Sequence, residues 1–249
     1  MFLVLLKNSI KMLKKLFLKL WYGAYHQNDN NILSLFEVNK KAKMIDLGCN
    51  DGEWSLKVAN KIKTKDIHGI DVVPQFIKHA NKINVKAVRG DLTKTFPFKD
   101  NIFDVVHSNQ TIEHLTDVDN YVTEIYRILK PGGYAVISTE NLSSWHNIFA
   151  LVIGWQAFSQ HISKRYHIGN PISPHFDVDR ADLDAEDKRL GLRHFIIFTM
   201  FGLKEIFRKY GFTVIDAKGA GYYPLPNFFA TLDPRHSHFI TVKVSKPKK

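Results

Sequence analysis

The run Ile45-Asp46-Leu47-Gly48-Cys49-Asn50-Asp51-Gly52 carries a short apolar stretch into a glycine-bearing turn and then into a helical pattern. Glycine lets a backbone turn sharply and come close to a ligand. The first N–H groups of the following helix are free to meet polar or anionic groups. About twenty residues on, Asp71 closes a second apolar run, where an acid can accept hydrogen bonds from two ribose hydroxyls or cap the next helix. Gly90-Asp91-Leu92 closes a third. A carboxylate there can take a hydrogen bond from an exocyclic amine, or serve as a cap or turn residue. Asn109, Gln110 and the pair Glu113-His114 follow a fourth apolar run.

These residues need a scaffold that brings the ends of several strands together, and the chain supplies one. Lys43–Leu47, Asp66–Asp71, Val85–Arg89, Ile102–His107 and Tyr134–Thr139 read as strands. Between them, Glu53–Ile62, Pro74–Ile83 and Val118–Leu129 show helical spacing, and Pro131-Gly132-Gly133 stops the last of these. Met200–Tyr210 reads as a further helix, and Thr213–Ala217 and His238–Val244 as closing strands. Alternating strands and helices predict an α/β fold, a parallel sheet with helices on both faces. Right-handed crossovers then put the strand carboxyl ends along one edge, where ligands bind.

Together with Pro97-Phe98, Phe103-Asp104-Val105-Val106 and Leu129-Lys130-Pro131-Gly132-Gly133, these motifs resemble the class I S-adenosylmethionine-dependent methyltransferases, in the group that includes ubiquinone-type and other small-molecule enzymes. The resemblance covers about 43–141 well and 200–244 more loosely. It implies a Rossmann-like, seven-stranded, mostly parallel sheet with an antiparallel last strand, and S-adenosylmethionine as cofactor. It also implies that Asp46, Gly48, Asn50 and Gly52 wrap the methionine part and that Asp71 and Val72 meet the ribose. Asp91 and Leu92 would hold the adenine, and Asn109 and Gln110 would lie beside the sulfonium. Asn50 stands where the family's turn has its middle glycine; asparagine tolerates left-handed backbone better than most residues. Some relatives hold a divalent metal with Glu-x-x-Glu-His. Gln110 replaces the first glutamate here and is a poor ligand for a hard cation, so no metal is expected.

The expected reaction is methyl transfer to a small-molecule, lipid or glycan-intermediate acceptor, with O-methylation favoured. A hydroxyl acceptor benefits from a base, and histidine suits neutral pH. His146, just past the fifth strand, is the first choice for that base and His114 the second. Residues 142–198 break the strand–helix rhythm and read as an acceptor lid, with Ala220-Gly221-Tyr222-Tyr223-Pro224-Leu225-Pro226 as a further wall. Three readings compete. A nicotinamide-dependent oxidoreductase fits the turn and Asp71 but leaves Asp91-Leu92 and Pro131-Gly132-Gly133 unexplained. A non-catalytic, cofactor-binding member is kept in view by Asn50, and an RNA methyltransferase by the charge.

The chain has 249 residues, a net charge of +11 and one cysteine, Cys49. An intramolecular disulfide and a four-cysteine zinc site are therefore excluded. The positive charge suits an acidic partner or reflects a lysine-rich composition; nucleic acid is not the expected partner, since no RNA-binding module accompanies it. The domain reading is a basic amphipathic extension over 1–40 and a methyltransferase domain over 41–249. Lys7, Lys11, Lys14, Lys15 and Lys19 share one side of a helix over 2–21, and Leu6, Ile10, Leu13, Phe17 and Leu20 the other. Two readings stay open: a helix lying on an anionic membrane, and a helix docked on its own domain. The lysines argue against a membrane span, so the location expected is cytoplasmic, with peripheral contact on the inner face of a membrane as the alternative.

Overall fold

The computed structural model describes residues 19–163, 168–171 and 193–248. Seven strands form one sheet: β1 (Lys43–Leu47), β2 (Asp66–Asp71), β3 (Lys86–Arg89), β4 (Phe103–Asn109), β5 (Leu129–Glu140), β6 (Thr213–Ala220) and β7 (Phe239–Ser245). Their order is β3-β2-β1-β4-β5-β7-β6. Strands β1 to β5 pair in parallel, and β7 runs antiparallel to both β5 and β6. The expected sheet is therefore the observed one. Its order reverses between β1 and β4, and that switch point lies at the carboxyl ends that carry the motifs.

Alternation along β1 explains how the core divides. Ile45 and Leu47 face one side, where they join Val106, Tyr121, Ile125 and Phe207. Met44 faces the other, with Val58, Ile62, Val105 and Val136. Helix α4 (Val118–Ile128) and helix α6 (Met200–Lys209) cover the first face. Helix α2 (Glu53–Ile62) covers the second, and helix α3 (Pro74–Lys82) lies along β2 and β3.

Some boundaries move for local reasons. Strand β4 runs on to Asn109, so two site residues lie nearer the sheet edge than expected. Helix α4 ends at Ile128, and pairing of β5 already begins at Leu129. Pro131-Gly132-Gly133 therefore lies within the strand, not at a helix cap; Gly132 has φ 81° and its N–H donates to Lys246 O.

Residues 19–34 are helical and make up the described part of α1. Ile32, Leu35 and Phe36 belong to the second core, and Asn28 is buried, its Oδ1 accepting from Ser138 and Thr241. Residues 24–36, drawn from the sequence as part of an extension, thus help cover the sheet itself. Phe2 to Leu18, with most of the lysine stripe, lie outside the described residues. Among the described residues no helix is long and apolar enough to cross a membrane.

The segment 142–198 has order of its own where it is described. Helix α5 (Trp145–Val152) follows β5. The stretch 193–198 returns along the site: Phe195 N and Ile196 N donate to Glu113 O, and Leu142 N donates to Phe198 O. The acidic run from Asp177 to Asp187 lies outside the described residues.

Candidate active site

The turn after β1 is held in a left-handed series, with φ 78° at Gly48, 49° at Asn50 and 87° at Gly52. Asn50 takes the strained backbone expected of it. Its N–H donates to Asp71 Oδ2 at 2.9 Å, and Val73 N donates to Asp71 Oδ1 at 2.9 Å. Asp71 thus ties the turn to the end of β2 while each carboxylate oxygen keeps acceptor capacity. Burial raises its pKa, against the pull of the Val73 and Asn50 N–H groups. A ligand donating hydroxyls would stabilise its charged form. Val72 beside it is exposed.

Asp46 departs from the expectation. It lies opposite His107 on β4, and its side chain points into the fold with 3% exposure. Its Oδ2 accepts from Ser55 Oγ at 2.6 Å and its Oδ1 bonds His107 Nδ1 at 2.7 Å. Trp54 Nε1 donates to His107 Nε2 at 3.3 Å, so Nδ1 carries the imidazole proton and donates to Asp46. Buried and bonded to Ser55 and His107, Asp46 supports the turn from beneath. Gly48 likewise answers to the protein: a Cβ there would stand 2.5 Å from Thr111 Oγ1.

Asp91 is exposed, and its Oδ1 accepts from the Thr93 N–H and hydroxyl at 2.8 and 2.7 Å. It therefore shapes its own turn, and Leu92 next to it is buried. Arg127 steadies the loop that follows, bonding Phe98 O, Phe96 O, Asp100 and Glu124.

The end of β4 is different in kind. Asn109 Oδ1, Gln110 Nε2 and Glu113 Oε1 are buried with no hydrogen-bond partner. Buried polar groups seldom go unpaired, and Gln110 also holds a left-handed φ of 52°. Three such atoms within five residues mark a place prepared for a ligand.

Histidines gather in two groups around the end of β5. In the first, His114 Nδ1 bonds Arg193 O at 3.0 Å and His194 Nδ1 bonds Ser159 O at 2.7 Å. A carbonyl only accepts, so both rings carry the proton on Nδ1 and leave Nε2 as a bare acceptor. His161 stacks on His194, with 4.4 Å between ring centroids. Glu113 and Glu140 share this space. Burial pushes the Glu113 carboxyl up to about 8 and that of Glu140 to about 7. It pushes the His114 imidazole down to about 4. Glu113, His114 and His194 each bring one ligand atom within 4.8 Å of the others. Two imidazoles and a carboxylate can hold a divalent transition ion; without one, the set offers two free imidazole lone pairs.

In the second group, His146 Nε2 lies 3.2 Å from His238 Nδ1 and 3.3 Å from Ser144 Oγ. Burial also lowers His146, to about 4. Tyr223 and Phe158 pack edge-on against its ring, and the buried Tyr223 hydroxyl has no partner. The two histidines singled out from the sequence thus fall into separate groups. The leaning toward His146 is not sustained, because its Nε2 is already engaged and that of His114 is not. His161 and His194 come from the segment read as a lid and Tyr223 from the one read as a further wall, although none was singled out by itself. Glu140 was not among the residues expected here; its only sequence signal is its place at the end of a strand.

Residues 45–137 match the family model described as a methyltransferase domain. By that match the stretch is similar to methyltransferase domains. Demethylmenaquinone methyltransferase of Listeria welshimeri is 30% identical over 128 residues, 47% of this chain and 54% of that protein. The protein of that name in Staphylococcus epidermidis is 29% identical over 112 residues, 43% and 46% of the two chains. The chain thus spans about half the length of the curated relatives it matches. A structure from Thermotoga maritima, described as a SAM-dependent methyltransferase and possible histamine N-methyltransferase, has a TM-score of 0.58 at 17% identity. It covers 96% of each chain. The putative methyltransferase of Haloferax volcanii, solved with its Trm112 activator, gives 0.59 at 16%, over 94% of this chain and 93% of that one. These likenesses show the fold of the methyltransferase domain. S-adenosylmethionine, the cofactor this class implies, fits the residues present: the left-handed turn, Asp71 and the orphaned atoms of Asn109 and Gln110 line one edge of the sheet.

Proposed function

We propose that this chain transfers a methyl group from S-adenosylmethionine to a small-molecule acceptor seated at the ends of β4 and β5, and that the methyl group goes to oxygen. The observation that carries the reading is the row of buried, unpartnered polar atoms on Asn109, Gln110 and Glu113. Asp71 accepts the ribose hydroxyls, Val72 and Leu92 flank the adenine, and Asn109 and Gln110 face the reacting end. The cofactor supplies a methyl group on a positively charged sulfur, already a strong electrophile. The protein's main contribution is to hold the acceptor in line with it, which supplies roughly 7–11 kcal/mol. His114 Nε2 takes the acceptor's proton, with Arg193 O fixing the tautomer. Glu113, protonated up to about pH 8, donates a hydrogen bond that orients the acceptor. His146, Phe158 and Tyr223 form an aromatic wall drawn from segment 142–198 and from 220–226, which suits a ring or lipid-like acceptor.

The test is calorimetric titration with S-adenosylhomocysteine, beside an Asp71→Ala variant. Micromolar binding by the native chain, weakened at least tenfold in the variant, supports the reading. No binding by the folded native chain removes it.

A further inference from the structure

Two stretches of this chain, 141–163 and 219–232, contain no Asp, Glu, Lys or Arg. The structure sets them side by side. Trp145 Nε1 donates to Tyr222 OH at 2.7 Å, and Trp145 stacks on His236 with 4.6 Å between centroids. Tyr222 stacks in turn on Phe229, and Phe229 on Phe228. Helix α5 is turned contrary to a helix that covers a core. Asn147 and Ala150 are buried, and His146 packs among aromatic rings. Trp145, Phe149 and Val152, spaced four and three residues apart, form one outward stripe and are 41%, 56% and 79% exposed. On the neighbouring stretch Phe228 and Leu232 are 57% and 73% exposed. A contiguous apolar face of this kind marks an interaction site.

The border of the face names the partner. Asn227 Nδ2, beside Phe228, donates to Leu20 O at 3.2 Å. The chain reaches this point from residues 1–18, which hold Lys7, Lys11, Lys14 and Lys15. Lys19 follows, and no acidic residue precedes Asp29. An apolar face beside which the chain arrives from a lysine-rich, acid-free stretch of sequence complements a bilayer with anionic headgroups, where apolar side chains enter the acyl boundary and lysines meet the phosphates. A second copy of the chain fits less well. A two-fold interface puts the same patch on both sides, so it would meet no charge opposite to the lysine-rich stretch that enters beside it.

We propose that the face formed by α5 and residues 225–232 docks on an anionic lipid bilayer. Because His146 packs on the inner side of the same helix, docking places the aromatic wall of the proposed acceptor site next to the membrane. That consequence rests on the proposed methyl transfer; the docking does not.

The test is flotation of the full chain, without cofactor or acceptor, on vesicles of phosphatidylcholine alone or with one third phosphatidylglycerol. The chain should float with the anionic vesicles at least tenfold more readily than with neutral ones, and less so at high salt. A Phe149→Ser, Val152→Ser, Leu232→Ser variant should bind at least tenfold more weakly with an unchanged thermal midpoint, because these side chains are already in water. Brominated acyl chains should quench the native tryptophan fluorescence, and Trp145→Phe should remove much of that quenching. Absence of flotation overturns the proposal, as does a serine variant that floats like the native chain. So does a native dimer that this variant returns to monomer. Titration with S-adenosylhomocysteine is a separate measurement, so failure here leaves the methyl-transfer reading standing.

Discussion

Asp46 offers a direct test of whether the first motif works by contact or by support. Its carboxylate is buried and bridges Ser55 and His107 at 2.6 and 2.7 Å. Hydrogen bonds to a charged group contribute about 1.5–3 kcal/mol each. Asp46→Ala leaves the Ser55 hydroxyl and the His107 Nδ1–H without partners and should cost roughly 3–5 kcal/mol. Asp46→Asn should cost much less. Its Oδ1 can still accept from His107, and its amide can donate to Ser55, whose hydroxyl turns to accept. Only the charge assistance is lost, about 1 kcal/mol. Urea unfolding at constant m-value measures both changes, and titration with S-adenosylhomocysteine reads the site. The asparagine variant should bind within about threefold of the native chain, a difference under about 1 kcal/mol. The reasoning fails if Asp46→Asn is as stable as the native chain yet binds tenfold more weakly, since the carboxylate would then be touching the cofactor. It also fails if Asp46→Ala costs less than about 1 kcal/mol.

Three further outcomes follow from geometry. His146 is lowered from 6.5 to about 4, so the native state favours the neutral ring. Its contribution is complete above pH 6.5 and is lost as pH falls through 4, about 3 kcal/mol in all. Urea midpoints from pH 7 to 4 should therefore fall more steeply for the native chain than for His146→Gln. Gly48→Ala must place a Cβ 2.5 Å from Thr111 Oγ1 at φ 78°, and calorimetric melting should show a loss of roughly 2–4 kcal/mol. Arg127→Ala removes the side chain that ties Phe96, Phe98 and Asp100 to α4 and should cost roughly 2–3 kcal/mol. Hydrogen exchange should rise over 94–101 first.

The sheet was legible because its strands are buried, short and punctuated. Lys43–Leu47 and Asp66–Asp71 each end where a turn residue must stand, and their bounds match the structure. The inward turn of Asp46 was also there to read. In a strand, Met44 and Asp46 point the same way, and Met44 is a core residue. The motif suggested contact, while alternation pointed to burial. Helix α5 was not legible, because its apolar residues line the outer side and no polar stripe opposes them. His194 and Glu140 meet only because a long connection returns to the end of β5. Contacts made over such separations leave no spacing pattern in the chain.

The proposed acceptor site holds carboxyl and imidazole groups together with little charge below about pH 7, and the physical reason is the same for both. Removal from water disfavours whichever form is charged. It therefore raises Glu113 to about 8 and Glu140 to about 7, and lowers His114 and His146 to about 4. Near neutral pH Glu113 keeps its proton and both imidazoles are uncharged. An acid and a free imidazole base thus coexist within the same small space, each in the form its proposed task requires. Their opposite shifts bound the range over which that holds. As pH rises through about 8, Glu113 ionises and its donor is lost. As pH falls through about 4, His114 is protonated and its acceptor is lost. Between about pH 4 and 7, where both carboxyls keep their protons and both imidazoles are neutral, a site that is polar but uncharged suits a neutral hydroxyl acceptor better than an ionic one, since an ion would enter without a fixed counter-charge to meet it.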